Sequence, residues 1–252
     1  MELGLDGRTV IVTGASGGIG RHLARRFAAE GAHVVLTYRR SPHAAELVAK
    51  EVGERAMVTA YDMADPDAPA ELVRQAVDWT GGVDVLVNNA VFWGNDGPTP
   101  GQPFEDTPDA DWTATLRTNI DGAVRLTRAV APLMRASRWG RMVHISSGIA
   151  TDGMSGAEYY GTAKAALHGF SRSVALNVGQ DGDILSNVVA FGLTRTETNA
   201  DFITEEISQH YEPTVPIGRL LSAAEVAAPV VFLGSAANTG ITGQVIAVAG
   251  GA

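Results

Sequence analysis

Short apolar runs rich in β-branched residues recur along this chain at Thr9–Thr13, His33–Thr37, Ala56–Ala60, Val83–Val87, Met142–Ile145, Ile184–Val189 and Gln244–Val248. Each is too short for a helix and too continuously apolar for a strand with one wet face, so each reads as a strand covered on both sides. Between them the periodicity is helical. In Ile19–Phe27 the side chains of Ile19, Leu23 and Phe27 share a face, and Gly31 is the expected stop. Further helices are expected over Ala44–Val52, Ala68–Thr80, Asp109–Ser137, Glu158–Gly179 and Ala223–Ser235, the last opened by a Ser222-x-x-Glu225 capping box. A parallel neighbour is reached only through a long crossover, so this alternation predicts an α/β fold. Its core is a doubly wound parallel sheet of seven strands with helices on both faces.

The 252 residues are 45% hydrophobic and show no linker, repeat or low-complexity boundary. A single domain over 1–252 is expected. The formal charge is −9, and no basic cluster extends beyond short pairs such as Arg25-Arg26 and Arg39-Arg40, so nothing points to a phosphate-tracking nucleic-acid surface and no nucleic-acid partner is expected. The absence of cysteine excludes disulfides and thiolate metal sites, and His144, His168 and His210 lack a ligand spacing, so no metal is expected. No apolar stretch approaches the roughly 20 residues of a membrane span. The expectation is a cytoplasmic protein without a membrane partner.

Between the first strand and the first helix lies Thr13-Gly14-Ala15-Ser16-Gly17-Gly18-Ile19-Gly20. Glycine there allows a tight turn and close approach of backbone to a pyrophosphate, while the helix N-terminus offers N–H donors and a positive dipole end. Strand before and helix after is the context a dinucleotide turn requires. An NAD-preferring site carries an acid about 20 residues later, at the end of the second strand. This chain has Thr37-Tyr38-Arg39-Arg40 there, with no acid between Glu30 and Glu46. Two guanidinium groups would attract a 2′-phosphate, so NADP(H) is the expected cofactor. The competing reading is that Arg39 and Arg40 are ordinary solvated charges.

Tyr160 and Lys164 stand four apart, on one face of the predicted helix. A fixed ammonium there favours the phenolate and draws a phenol pKa of about 10 toward working pH. The least regular stretches, near 92–107 and 194–220, follow strands and are the candidate walls of a substrate pocket.

Together these residues resemble the short-chain dehydrogenase/reductase family in its compact form, from Thr9 to Gly251. The resemblance rests on the glycine turn, Asp62, Asn88-Asn89-Ala90, Asn119, Ser147, Tyr160-x-x-x-Lys164 and Gly243 with Gly250-Gly251. It implies a Rossmann-like fold and a catalytic set of Asn119, Ser147, Tyr160 and Lys164. It also implies a homotetramer, assembled partly through the helices that hold Asn119 and Tyr160. The cofactor would lie on Gly14, Ser16, Gly17, Gly18, Ile19 and Gly20. Asp62 and Met63 would border the adenine, with Asn89 and Ala90 at the adenosine ribose. Gly192, Thr194 and Thr196 would hold the carboxamide, and Tyr160 and Lys164 would reach the nicotinamide ribose. By the same resemblance Asn119 distorts its helix and holds a water that links Lys164 to solvent. Ser146 is the neighbouring alternative to Ser147, but strand alternation and the family spacing set Ser147 against Tyr160. Val91, Phe191 and Ala249 stand where the family has Gly, Pro and Asp, the first two next to the expected nicotinamide.

The candidate pocket segments hold Phe92, Trp93, Met154, Tyr159, Phe191, Phe202 and Tyr211, although aromatics are only 6% of the chain. With Ser147 and Tyr160 they form the expected substrate site, and flat walls favour a bulky apolar or aromatic ketone or alcohol. The competing reading makes several of them core or oligomer contacts. The pattern is also similar to ketoreductases of actinobacterial aromatic polyketide pathways, including the angucycline type. Two rivals stand beside this expectation. A 3-oxoacyl-carrier-protein reductase would need a basic patch beside the pocket, for which Arg135, Arg138 and Arg141 are the candidates. A non-catalytic NADP(H)-sensing protein would have no use for the Asn-Ser-Tyr-Lys set.

Overall fold

The computed structural model describes residues 2–94, 97, 99 and 101–252. Of the expected pocket segment near 92–107, Asn95, Asp96, Pro98 and Pro100 lie outside the described residues. In chain order the main elements are β1 (Thr9–Val12), α1 (Gly18–Ala29), β2 (His33–Tyr38), α2 (Pro42–Val52), β3 (Ala56–Ala60), α3 (Ala68–Thr80) and β4 (Val85–Asn88). They continue as α4 (Asp109–Ser137), β5 (Trp139–Ser147), α5 (Ile149–Asp152), α6 (Glu158–Val178) and β6 (Asp183–Phe191). The last part comprises β7 (Thr194–Arg195), α7 (Glu205–Tyr211), β8 (Leu221–Ser222), α8 (Ala223–Leu233) and β9 (Val245–Val248).

Seven strands form one sheet in the order β3-β2-β1-β4-β5-β6-β9, every pairing parallel. Strand order reverses between β1 and β4, which opens a crevice at their carboxyl ends. Successive side chains point to opposite faces, and the packing follows this alternation. Val10, Val12, Val34 and Leu36 enter one core with Leu23 and Phe27 of α1 and Val226, Val230 and Val231 of α8. Ile11, Val35 and Leu86 enter the other with Leu72 of α3 and Leu126, Val130 and Met134 of α4. Each such large side chain contributes about 1.5–3 kcal/mol when fully buried. The expected doubly wound sheet is therefore the one observed.

The boundaries differ where a local rule was overridden. Helix α2 starts at Pro42, whose fixed φ suits the first helical turn. Strand β5 begins at Trp139, three residues before the expected start, and carries the fully buried Arg141 within it. Its guanidinium is completed by Ser235 O at 3.1 Å, Asp183 O at 2.7 Å, Asn238 O at 2.9 Å and Asp183 Oδ2 at 2.8 Å. A buried charge survives only when its donors are filled in this way. The segment 194–220, expected to be irregular, contains α7 and β7, and β7 pairs with β8. The capping box opens α8 as expected. Among the described residues no helix is long and apolar enough to cross a membrane.

Candidate active site

The dinucleotide turn is held from beneath by the end of β4. Asn89 Nδ2 donates to Thr13 O at 2.8 Å, and Thr13 Oγ1 accepts from the amides of Asn89 and Ala90 at 2.9 Å each. Gly14 N donates to Thr37 Oγ1 at 3.0 Å, which ties the turn to β2. A Cβ on Gly20 would collide with Gly14 O, and one on Gly18 would lie 2.7 Å from Thr196 Oγ1, so the turn tolerates no side chain at either place. The first turn of α1 has no side-chain cap and no acidic residue. Free amide donors, a positive dipole end and glycine backbone suit a pyrophosphate, so these residues fit a dinucleotide. Arg39 and Arg40 follow β2, are exposed, and make no ion pair among the described residues. Asp62 accepts from Ala64 N through Oδ1 at 3.0 Å, and Met63 beside it is buried.

The loop after β6 reaches back over this turn. Gly192 ends the strand, Thr194 Oγ1 donates to Gly192 O at 2.9 Å, and Thr196 N donates to Asn199 Oδ1 at 2.8 Å. His22 Nε2 meets Glu197 Oε1 at 2.9 Å, joining α1 to that loop. Nothing in the sequence pattern singles out this pair, since both residues lie on polar stretches.

Ser147 ends β5 and hydrogen-bonds Tyr160, one turn before Lys164 on α6. Ser146 faces the other way: its Oγ donates to Lys164 O at 3.2 Å and meets His168 Nε2 at 2.9 Å. Burial raises the Tyr160 phenol above its usual value, and the Ser147 hydrogen bond opposes the rise only in part. The expected lowering by Lys164 is therefore not what dominates here. Lys164 Nζ lies 5.8 Å from the Tyr160 ring centroid and donates to Ile145 O at 2.9 Å. Its own pKa is pushed down to about 8 by burial. Tyr160 is thus a neutral phenol in the free protein.

Asn119 is buried on α4, and its side chain is engaged with backbone. Oδ1 accepts from Phe92 N at 3.0 Å, while Nδ2 donates to Phe92 O at 2.7 Å and Thr115 O at 2.8 Å. It fixes the chain just after Ala90. A cavity of about 10 Å³ lies between Asn119, Lys164, Asn88, Thr13 and Tyr61, and this is about the volume needed to hold one water.

Beyond Tyr160 opens a cleft of about 240 Å³ lined by Trp93, Trp112, Tyr159, Tyr160, Thr115, Gln102, Asp111 and Glu158 among others. The Trp93 ring stacks on Tyr160 with centroids 3.9 Å apart and planes 15° from parallel. Trp112 stacks on Tyr159 at 5.7 Å, and the Tyr159 hydroxyl donates to Phe104 O at 2.9 Å.

Several expected walls are elsewhere. Phe191 shares a strand face with Val189 and is buried with it in the first core. Phe92 packs against the second core, with the Arg39 guanidinium 6.0 Å from its ring. Phe202 is 62% exposed outside the cleft, and Tyr211 and Met154 also lie outside its lining. The lining includes no residue of 194–220; its second wall comes from α4 and from residues 156–160. Trp112 and Asp111 escaped the sequence reading because the helical pattern of α4 already accounted for them. The candidate basic patch is not beside the cleft. Arg141 is buried at the amino end of β5, and Arg135 is paired with Asp181 at 2.9 Å.

The sequence profile of the family described as Enoyl-(Acyl carrier protein) reductase matches residues 14–252. The chain belongs to the short-chain dehydrogenase/reductase family. Among similar members is the 3-oxoacyl-(acyl-carrier-protein) reductase FabG of Aquifex aeolicus, 35% identical over 100% of this chain and 99% of that one. L-rhamnose 1-dehydrogenase (NAD(P)(+)) of a Sphingomonas strain is 36% identical over 98% and 96% of the two chains. A crystal structure provisionally described as a betaketoacyl-ACP reductase superposes with TM-score 0.86 at 34% identity and covers 98% of each chain. The short-chain dehydrogenase/reductase is thus an oxidoreductase of the alcohol/ketone pair that uses a nicotinamide cofactor.

Proposed function

We propose that the protein is an NADPH-dependent ketoreductase for a bulky, flat, apolar ketone of the aromatic polyketide type. The cleft next to Tyr160 carries this reading. Two tryptophans and Tyr159 wall it, Asp111 and Glu158 add acidic groups, and no lysine or arginine is among its described lining residues. Flat apolar walls reward ring stacking, and acidic ones disfavour an anionic substrate. The preference for NADPH rests on exposed Arg39 and Arg40 at the end of β2.

A dinucleotide bound through its pyrophosphate at the glycine turn would supply the hydride from its nicotinamide. Tyr160 gives its proton to the carbonyl oxygen as the alkoxide develops, and Ser147 hydrogen-bonds the same oxygen. Burial keeps Tyr160 protonated, the form that reduction consumes. Lys164, with its pKa near 8, remains largely an ammonium near neutrality and stabilises the phenolate left behind. Asn119 acts as a positioning residue by holding the Phe92 backbone. The same reading takes residues 1–252 as one catalytic domain of a cytoplasmic homotetramer; Leu176, 72% exposed on α6, supports an association through that helix.

Reduction of a 3-oxoacyl carrier-protein thioester is the second reading, favoured by relatives that are 34–35% identical. Catalytic efficiencies with NADPH for 9,10-phenanthrenequinone and for an acetoacetyl N-acetylcysteamine thioester separate the two. Higher efficiency with the quinone is expected. A strong preference for the thioester overturns the aromatic reading.

A further inference from the structure

The indole of Trp93 covers the Tyr160 ring at 3.9 Å and 15°, leaving Tyr160 only 7% exposed, while Trp93 itself is 44% exposed. Trp93 is half in solvent and rests on the proton donor itself. The chain on its amino side is fixed, because Asn119 holds both the amide and the carbonyl of Phe92. On its carboxyl side lies Gly94 at φ +91, a conformation that only glycine adopts readily. Rotation of the Trp93 side chain would leave the Phe92 backbone, held by Asn119, in place. Trp93 and Tyr160 both line the same 240 Å³ cleft, which is smaller than the roughly 300–1,000 Å³ of pockets that hold drug-sized ligands.

We propose that Trp93 is a specificity-determining residue that occupies the ring face of Tyr160 in the free enzyme and is exchanged there for a flat aromatic ring of the substrate. The proposal rests on the ketoreductase reading. A substrate with a flat ring replaces one aromatic stack by another, so lifting the indole is offset. A short acyl chain lifts the same indole and offers no ring in return. The discrimination lost by the acyl chain is about two- to tenfold, the size of one aromatic pair.

The test uses full-length enzyme with NADPH and two probes, 9,10-phenanthrenequinone and the acetoacetyl N-acetylcysteamine thioester. In Trp93→Ala the efficiency for the thioester should rise about two- to tenfold, because the competitor for the ring face is gone. Trp93→Phe keeps a ring over Tyr160 and should restore the discrimination. In wild-type enzyme labelled with 5-fluorotryptophan, the Trp93 resonance, identified by its absence from Trp93→Phe, should shift as the quinone saturates. A thioester efficiency that stays level or falls in Trp93→Ala overturns the exchange, and so does a Trp93 resonance unmoved by saturating quinone. A wild-type preference for the thioester would sink the aromatic substrate reading alone, because the Trp93 resonance under saturating quinone would still report whether a ring displaces the indole.

Discussion

His144 lies in the middle of β5 with no solvent exposure, between Asn88 and Ser186. Burial pushes its imidazole down from the usual 6.5 to about 4, and the Lys164 ammonium adds to the push. Above pH 6.5 the imidazole is neutral in both folded and unfolded chains and contributes no slope. Between pH 6.5 and 4 the unfolded chain binds a proton that the folded chain refuses, so stability is lost as the pH falls. At about 1.4 kcal/mol per pH unit the loss comes to about 3 kcal/mol by pH 4. Urea unfolding of wild type and His144→Asn, followed in steps across this range, isolates the group. The variant should be the less stable protein near neutrality, because it loses packing, yet its stability should fall about 3 kcal/mol less on acidification. Glu71 and Glu225 are held near 2, chiefly by hydrogen bonds from Arg74 and Arg219, and act equally in both proteins. Parallel stability curves would refute the assignment of this acid sensitivity to His144.

Tyr160→Phe removes the proton donor alone and should lower turnover by about 10²–10⁴ while NADPH still binds, as read by cofactor fluorescence; wild-type turnover would move the donor elsewhere. Ser147→Ala should lose far more activity than Ser146→Ala, and the reverse order would reassign the serine. Replacing Arg39 or Arg40 by Ala should raise the KM for NADPH much more than that for NADH, whereas equal effects would leave neither arginine reading a 2′-phosphate. Sedimentation at micromolar concentration should show a tetramer, and monomer alone would contradict the assembly inferred from α4 and α6.

The sheet was legible because burial on both faces leaves unbroken apolar runs, as in Thr9–Val12 and Val85–Asn88. The start of β5 was not, because an arginine in a strand reads as a boundary until Ser235, Asp183 and Asn238 are seen to fill its donors. The glycine turn and the Tyr160–Lys164 pair are local patterns, and local patterns survive without tertiary information. The cleft is not local: Trp112 reaches it only because α4 docks beside residues 156–160. Phe191 was misread as a wall although period-two alternation from Val189 already points it into the core. The stack of Trp93 on Tyr160 joins residues far apart in sequence, and no periodicity encodes it.

Helix α1 begins without a cap of its own. Its leading amides complete their hydrogen bonding only with water or with an anion, so the pyrophosphate of a bound dinucleotide does part of what a capping side chain does in other helices. Ligand at a hundred times its Kd adds about 2.7 kcal/mol to the folded state. The survival of this enzyme against cellular proteases is then tied to the size of the dinucleotide pool. A cell short of that pool would lose catalyst by degradation as well as by lack of cofactor, and turnover would fall more steeply than saturation kinetics alone predict.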